Sequence, residues 1–487
     1  MSTGSSTGLE TSSDQTPRVA LAGDVSVSKA RSRIQIPPSE AVNDRYRCPE
    51  GLLDIASSGP LSSSAGFFRF GQSSICYGRS RATFVSSSPE SSIYDAAGEV
   101  AVEGTKLLLP FNLKEVIESL RLESYRNGEV AESSLFRLCK RLYYYLRPFT
   151  NQTVRKQVQK FHARNWKKRA FPQWPVDTTV ENVFETVLLM SMKAGGLERV
   201  PFVWFWPNGS NSCLTMTHDV ETKAGRDFCP ALMDLDDAFG IKGAFGIVPE
   251  KRYEVPKDLL ESMQSRGFEV VVQDLYHDGR LFDDKQEFLR RAKIINHYGR
   301  EFSAAGFRAA VLYRKPEWYD ALDFAFDMSF PNVAPLDPQQ GGCCTVMPFF
   351  IGDMLEIPVT TVQDYTLFHV LNERSIELWK AQTDLILKKN GLLSFIVHPD
   401  YVLRPDTLAV YKQLLGHLQG LREKTPIWCA LPSEINAWWR ARNKMSVVRD
   451  GASWRIVGEG CERAVLAYAK NVDGKIAYEV PGPARPQ

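Results

Sequence analysis

Leu214-Thr215-Met216-Thr217-His218-Asp219-Val220-Glu221 begins as an apolar run of strand length and ends in ionisable side chains. Short apolar runs bounded by polar residues read as buried strands. The same pattern recurs downstream. Val270-Val271-Val272 runs into Gln273-Asp274-Leu275-Tyr276-His277-Asp278-Gly279, and Ser394-Phe395-Ile396-Val397 runs into His398-Pro399-Asp400. Arg308, beside Gly306-Phe307, adds a cation at another run. Each residue alone has a plainer reading, since a strand-end Asp often caps a helix and a single His is commonly a satisfied core or surface residue. Apolar strands that all deliver His and carboxylate groups to one rim point instead to a hydrolytic or metal site.

Around these runs, residues 200–442 alternate short apolar segments (212–217, 243–248, 269–272, 307–312, 355–360, 392–397 and 427–431) with helical ones (229–239, 257–266, 285–298, 368–389 and 405–422). That alternation predicts parallel strands with crossover helices, and the number of units fits a (β/α) barrel better than an open sheet. In a barrel the chemistry collects at the carboxyl ends of the strands. The expected organisation is a disordered tail at 1–45, an N-terminal α+β region at 46–200, the barrel at 201–444 and a small β element at 445–487. The tail is rich in Ser and Thr and poor in large apolar residues. The α+β region combines strands near 66–71 and 75–78 with helices at 116–122, 135–146 and 180–192; strands at 453–457 and 464–469 are expected near the end.

Composition narrows the function. Lys+Arg number 59 against 57 Asp+Glu, a net charge of +2, which argues against a surface built to track nucleic-acid phosphates. The basic run at 164–169 reads as a solvated helix face. The 9 Cys include no Cys-x-x-Cys pair, a usage that suggests a reducing compartment, with Cys343-Cys344 as packed loop thiols. No apolar stretch is long enough for a membrane span and no secretory signal is seen, so a cytoplasmic location is expected. No phosphate-binding loop, dinucleotide fingerprint or Gly-x-Ser-x-Gly elbow occurs. Phe202-Val203-Trp204-Phe205-Trp206 and Trp438-Trp439 have the composition of sugar-stacking loops, although such aromatics are more often core.

Taken in order, Thr217 to Glu221, Gln273 with His277, Gly306-Phe307-Arg308 and His398-Pro399-Asp400 resemble the successive motifs of the polysaccharide deacetylase (NodB-homology, carbohydrate esterase 4) family, over about half of the chain. More narrowly, Phe205-Trp206-Pro207, Gly341-Gly342-Cys343-Cys344 and Gln363-Asp364-Tyr365 are similar to a bacterial subgroup found with exopolysaccharide genes. The resemblance implies an α/β fold, a distorted (β/α)7 deacetylase-type barrel, that holds one divalent metal, zinc in most members. It implies Glu221, Gln273 and His277 as metal ligands, Asp219 as general base, Arg308 as the cation that keeps Asp219 charged and oriented, and His398 as general acid. Asp327 would tune His398, and Asp274, Tyr313 and Asp400 would contact a carbohydrate substrate. Partners in polysaccharide synthesis are implied as well.

The chain departs from the family pattern in three places. Gln273 stands where the His-x-x-x-His pair has its first histidine, Asp219-Val220-Glu221 carries Glu at the acidic ligand position, and Arg308-Ala309-Ala310 replaces Arg-x-Pro. Asp274 and Asp278 are candidate substitute oxygen ligands for an ion harder than zinc. Three readings remain open: a metal-dependent deacetylase of a glycan or sugar precursor, a metal-free glycan-binding or assembly component, and a hydrolase of another small C–N bond.

Overall fold

All nine residues of Ser212–Val220 are buried, and they form the central strand, β1, of a curled sheet. Strands covered on both faces read as near-continuous apolar runs, which is why this stretch stood out. The structure, a computed structural model, describes residues 38–71, 74–81, 85–127 and 169–481. Along the chain the sheet continues with β2 (Gly243–Ile247), β3 (Glu269–Gln273), β4 (Gly306–Arg308), β5 (Phe326–Asp327), β6 (Phe349–Ile351), β7 (Met354–Glu356), β8 (Leu392–Ile396) and β9 (Ile427–Cys429). Its order is β6-β7-β5-β4-β3-β2-β1-β8, with β9 also paired to β1. Every pairing is parallel except β6 with β7. β9 takes the first half of β1 and β2 the second half.

The other edge of β8 meets the segment after β7 through threonine hydroxyls and one backbone bond, Thr361 N to Ser394 O (3.3 Å). Thr360 Oγ1 donates to Leu392 O (2.7 Å) and accepts from Ser394 N (2.9 Å), while Thr361 Oγ1 donates to Ser394 O (2.8 Å).

Strand alternation separates two cores. Outward-facing Leu214, Met216, Phe245, Val272, Phe307 and Phe395 pack under helices that include α1 (Lys223–Ala238), α2 (Lys257–Ser265), α3 (Lys285–Glu301), α4 (Glu377–Leu387) and α5 (Pro405–Lys424). Inward-facing Cys213, Ala244, Val271 and Phe326 belong to a second cluster shared with the N-terminal region and with α6 (Pro432–Lys444). Helix starts follow local chemistry: Thr222 caps α1 by accepting from Gly225 N, and Asp284 caps α3 by accepting from Glu287 N.

The N-terminal region is α+β, with strand pairs at Ile55–Ser57 and Lys106–Leu109 and at Gly66–Arg69 and Ile75–Gly78, and helices at Leu113–Arg121 and Thr179–Ala194. The expected helix at 135–146 and all of the 164–169 run except Arg169 lie outside the described residues. Pro38–Tyr46 is helical although it falls mostly within the segment expected to lack order, because Val42 and Tyr46 are buried against this core. The strand Arg199–Val203 pairs with Leu466–Val472, which pairs in turn with Lys475–Glu479. Tyr46 and Tyr478 share a hydroxyl hydrogen bond of 3.0 Å. The described residues belong to one compact unit, Pro37–Gln487.

The aromatic runs are core, not sugar platforms: Trp204, Trp206, Trp438 and Trp439 are buried, and the indole N–H groups of the first three donate to Ser210 O, Asn390 O and Phe205 O. Cys343 and Cys344 are buried free thiols, pushed far up in pKa by burial. Among the described residues no helix is long and apolar enough to cross a membrane.

Candidate active site

The ends of β1, β2, β3 and β4 are held in one layer by register, which pairs Asp219 with Gly246 and Gln273 with Arg308. Arg308 is fully buried and its guanidinium is used three ways: Nη1 donates to Asp219 Oδ1 (2.7 Å) and Thr217 Oγ1 (2.8 Å), and Nε donates to Met328 O (3.0 Å). Gly246 makes room for this arrangement. A β-carbon there would stand 2.8 Å from Asp219 Oδ1 and 3.5 Å from Gln273 Oε1, so both side chains lie over a bare backbone. His218, one residue out of phase, points the other way and is structural: its ring nitrogens meet Val397 O (2.9 Å) and Asp236 Oδ2 (2.8 Å) on α1.

Glu221, just past β1, is the hub of the rim. Its Oε1 lies 3.0 Å from His277 Nε2 and 3.6 Å from His398 Nε2, and its Oε2 accepts from Tyr401 Oη (2.9 Å). Burial alone would raise the Glu221 pKa, but the two imidazoles and the phenol outweigh it and hold the carboxyl well below its usual range. His277 shifts the opposite way: burial would lower it, and Glu221 raises it. Asp400, expected to contact substrate, instead fixes this loop. It accepts from the Glu221 N–H (2.9 Å) and the Thr222 hydroxyl, and packs against Gly225.

His398, at the end of β8, meets Asp364 twice: Nδ1 is 2.6 Å from Oδ1, and the His398 backbone N–H donates to Oδ2 (2.8 Å). Burial would lower the imidazole, yet Asp364, with Glu221 and Asp219 beyond it, raises it to about 10. The carboxylate expected to do this was Asp327, and the structure places it elsewhere. Its register partner is Phe307, which faces outward, whereas the neighbouring Arg308 faces inward. Asp327 accordingly accepts from the Ser329 hydroxyl (2.7 Å) beside Glu356, its partner on β7. Asp364 and Tyr401 were not singled out as site residues in the sequence. The signal for Asp364 was its place in Gln363-Asp364-Tyr365; Tyr401 carries none beyond proximity to His398.

The loop after β3 supplies the other candidates. Asp274 and His277 both have left-handed backbone, with φ of 54° and 51°, a conformation uncommon outside glycine and frequent at functional sites. Asp274 is buried, its Oδ1 accepts from Leu275 N (2.6 Å), and burial raises its pKa to about 6. Asp278 does not serve as a substitute ligand, because both of its oxygens are engaged by Arg291 at 2.9 Å. Tyr313 is buried within the outer apolar cluster.

Among the described residues no group of three His, Cys, Asp or Glu is set to hold a metal ion. Glu221 and His277 are two such donors, and the third is the amide of Gln273. Gln273 Oε1 is buried without a hydrogen-bond partner, as befits an atom that awaits something the chain does not itself provide, and His277 Nε2 faces Glu221 Oε1 at 3.0 Å. The trio lacks the second imidazole that would suit zinc best, and an amide oxygen in its place is a donor for a harder divalent ion.

No protein-family model matches the sequence, and no curated protein matches it. Solved structures do. A Mycobacterium smegmatis protein assigned as a polysaccharide deacetylase aligns over 52% of this chain and 98% of its own, with a TM-score of 0.40 and 17% identity. An allantoinase aligns over 48% and 92%, at 0.39 and 13%. The peptidoglycan deacetylase PdaC from Bacillus subtilis aligns over 49% and 95%, at 0.30 and 10%.

Proposed function

We propose that this chain is a hydrolase of the polysaccharide deacetylase type, which removes acetyl groups from a glycan or sugar precursor. The observation that carries the reading is the grouping of Arg308-supported Asp219 with Asp364-supported His398 around the Glu221–His277 pair. It gives a base and an acid to one rim, each fixed by a partner of its own. Glu221, His277 and Gln273 would hold a divalent ion, which when bound lowers the pKa of water and polarises an acyl carbonyl. Asp219 takes the proton from the attacking water as the new C–O bond forms. Arg308 keeps that carboxylate aimed, and Thr217 shares the same guanidinium nitrogen. His398 then gives a proton to the leaving nitrogen or oxygen as its bond to carbon breaks, with Asp364 fixing the ring. Tyr401 restrains Glu221. The thiol usage favours a precursor met in a reducing compartment, and a place in polysaccharide synthesis follows from that substrate class.

A second reading is specifically favoured by Gln273: with an amide in the donor set, the barrel would bind a glycan without hydrolysing it. Metal analysis of the purified protein, with acetate release from acetylated glucosamine oligomers, separates the two. About one bound ion, lost in His277→Ala, with release that is lost in Asp219→Asn, is expected of the hydrolase. Wild-type protein that takes up no zinc, cobalt or manganese and releases no acetate would overturn it in favour of the binder.

A further inference from the structure

We infer that Arg252 forms a rim subsite for an oxyanion, a phosphate or a carboxylate, carried by the substrate next to its acyl group. The inference rests on the hydrolase reading for the position of the acyl group, but the anion is recognised by other residues. Arg252 lies in the loop that leaves β2, and its Nε donates to the main-chain oxygen of Glu221 (2.8 Å). The guanidinium is thereby anchored to the very residue at the centre of the site.

Other arginines around this barrel are matched by carboxylates: Arg308 by Asp219, Arg314 by Glu123, Arg291 by Asp278 and Glu287, and Arg266 by Asp234 and Asp237. Arg252 is exposed and has no carboxylate partner among the described residues. Its two terminal nitrogens form a planar fork, the shape that binds a phosphate or carboxylate through two parallel hydrogen bonds.

The neighbouring cations reinforce it. Lys251 has left-handed backbone (φ 68°), and its ammonium sits 3.5 Å from the centroid of the Tyr276 ring, one residue before His277. An aromatic face holds a cation without neutralising it. Arg280 is exposed in the same loop as His277, and its backbone N–H donates to Asp278 Oδ1 (2.9 Å). Lys223 and Arg226, by contrast, are both matched by Asp227, so the free positive charge is concentrated on the β2 and β3 loops.

Calorimetric binding to the full-length protein tests this with N-acetylglucosamine, N-acetylglucosamine 1-phosphate and N-acetylmuramic acid; the last two distinguish phosphate from carboxylate. The wild type is expected to prefer at least one anionic sugar over the neutral one by about tenfold at low salt, a preference that falls as salt rises. Arg252→Gln, which keeps a donor and loses the charge, is expected to abolish that preference, and so is Arg252→Ala. Equal affinity for all three sugars, no binding of either anionic sugar, or a preference that survives in both variants would overturn the subsite. Acetate release measured in parallel keeps the readings apart. A charge preference without release sinks the hydrolase alone, and release without charge preference sinks the subsite alone.

Discussion

Asp364 Oδ1 lies 2.6 Å from Nδ1 of His398, while its other oxygen receives the His398 backbone N–H at 2.8 Å. One carboxylate thus fixes both the ring and the main chain that carries it. Replacing Asp364 by Asn keeps an acceptor for the N–H but removes the charge and allows the wrong ring tautomer. Deacetylation by Asp364→Asn is expected to lose about 10²–10⁴ in kcat, with KM little changed, by steady-state kinetics on acetylated oligosaccharides.

Asp327 gives the converse result. Burial raises the pKa of this carboxyl and of its neighbour Glu356. A carboxyl held protonated in the fold contributes stability that is complete at low pH, below the unfolded carboxylate range, and is lost as pH rises towards its folded value. Asp327→Asn cannot ionise and escapes that loss. Its unfolding free energy is expected to fall less than that of wild type as pH rises from the unfolded carboxylate value of about 4 towards neutrality in denaturant titrations, with turnover unchanged within about twofold. A loss of turnover like that of Asp364→Asn would return Asp327 to the site.

Arg308→Met leaves Asp219 charged and nearly buried without its partner. Unfolding by urea should show a loss of about 3–5 kcal/mol, and the double variant with Asp219→Asn should recover part of it.

Gly246→Ala would force a methyl group against Asp219 Oδ1, 2.8 Å away. Overpacking of this kind costs about 1–3 kcal/mol, and the displaced Asp219 should reduce kcat more than the fold suffers. Normal kinetics in this variant would mean that Asp219 has room to move and is not aimed from below.

Gln273→His supplies a second imidazole to Glu221 and His277. Zinc affinity, measured by competition with a chelator, should rise by at least about tenfold.

The reach of the sequence is clear from particular residues. β1, β3 and β8 were legible because parallel strands buried on both faces leave unbroken apolar runs, and the polar groups at their ends, Asp219, Gln273 and His398, mark the rim. Asp327 was misplaced because a strand of two residues shows no alternation, and only its register with Phe307 reveals which way it faces. Asp364 sits beyond the strands at the start of a helical segment too short for its period to announce a partner for His398. The pairing of Arg199–Val203 with Leu466–Val472 leaves no local trace at all.

That pairing, with the Tyr46–Tyr478 bond across 432 positions, has a consequence for biosynthesis. Phe202 and Trp204 are made well before Leu466–Val472, the strand that completes their cover. A nascent chain must therefore carry an unsealed hydrophobic floor until Leu466–Val472 has been made, and closure of such distant contacts is slow. Chaperone dependence, and aggregation of any product that stops short of Leu466, are the costs of closing a hydrophobic core between segments so far apart in the sequence.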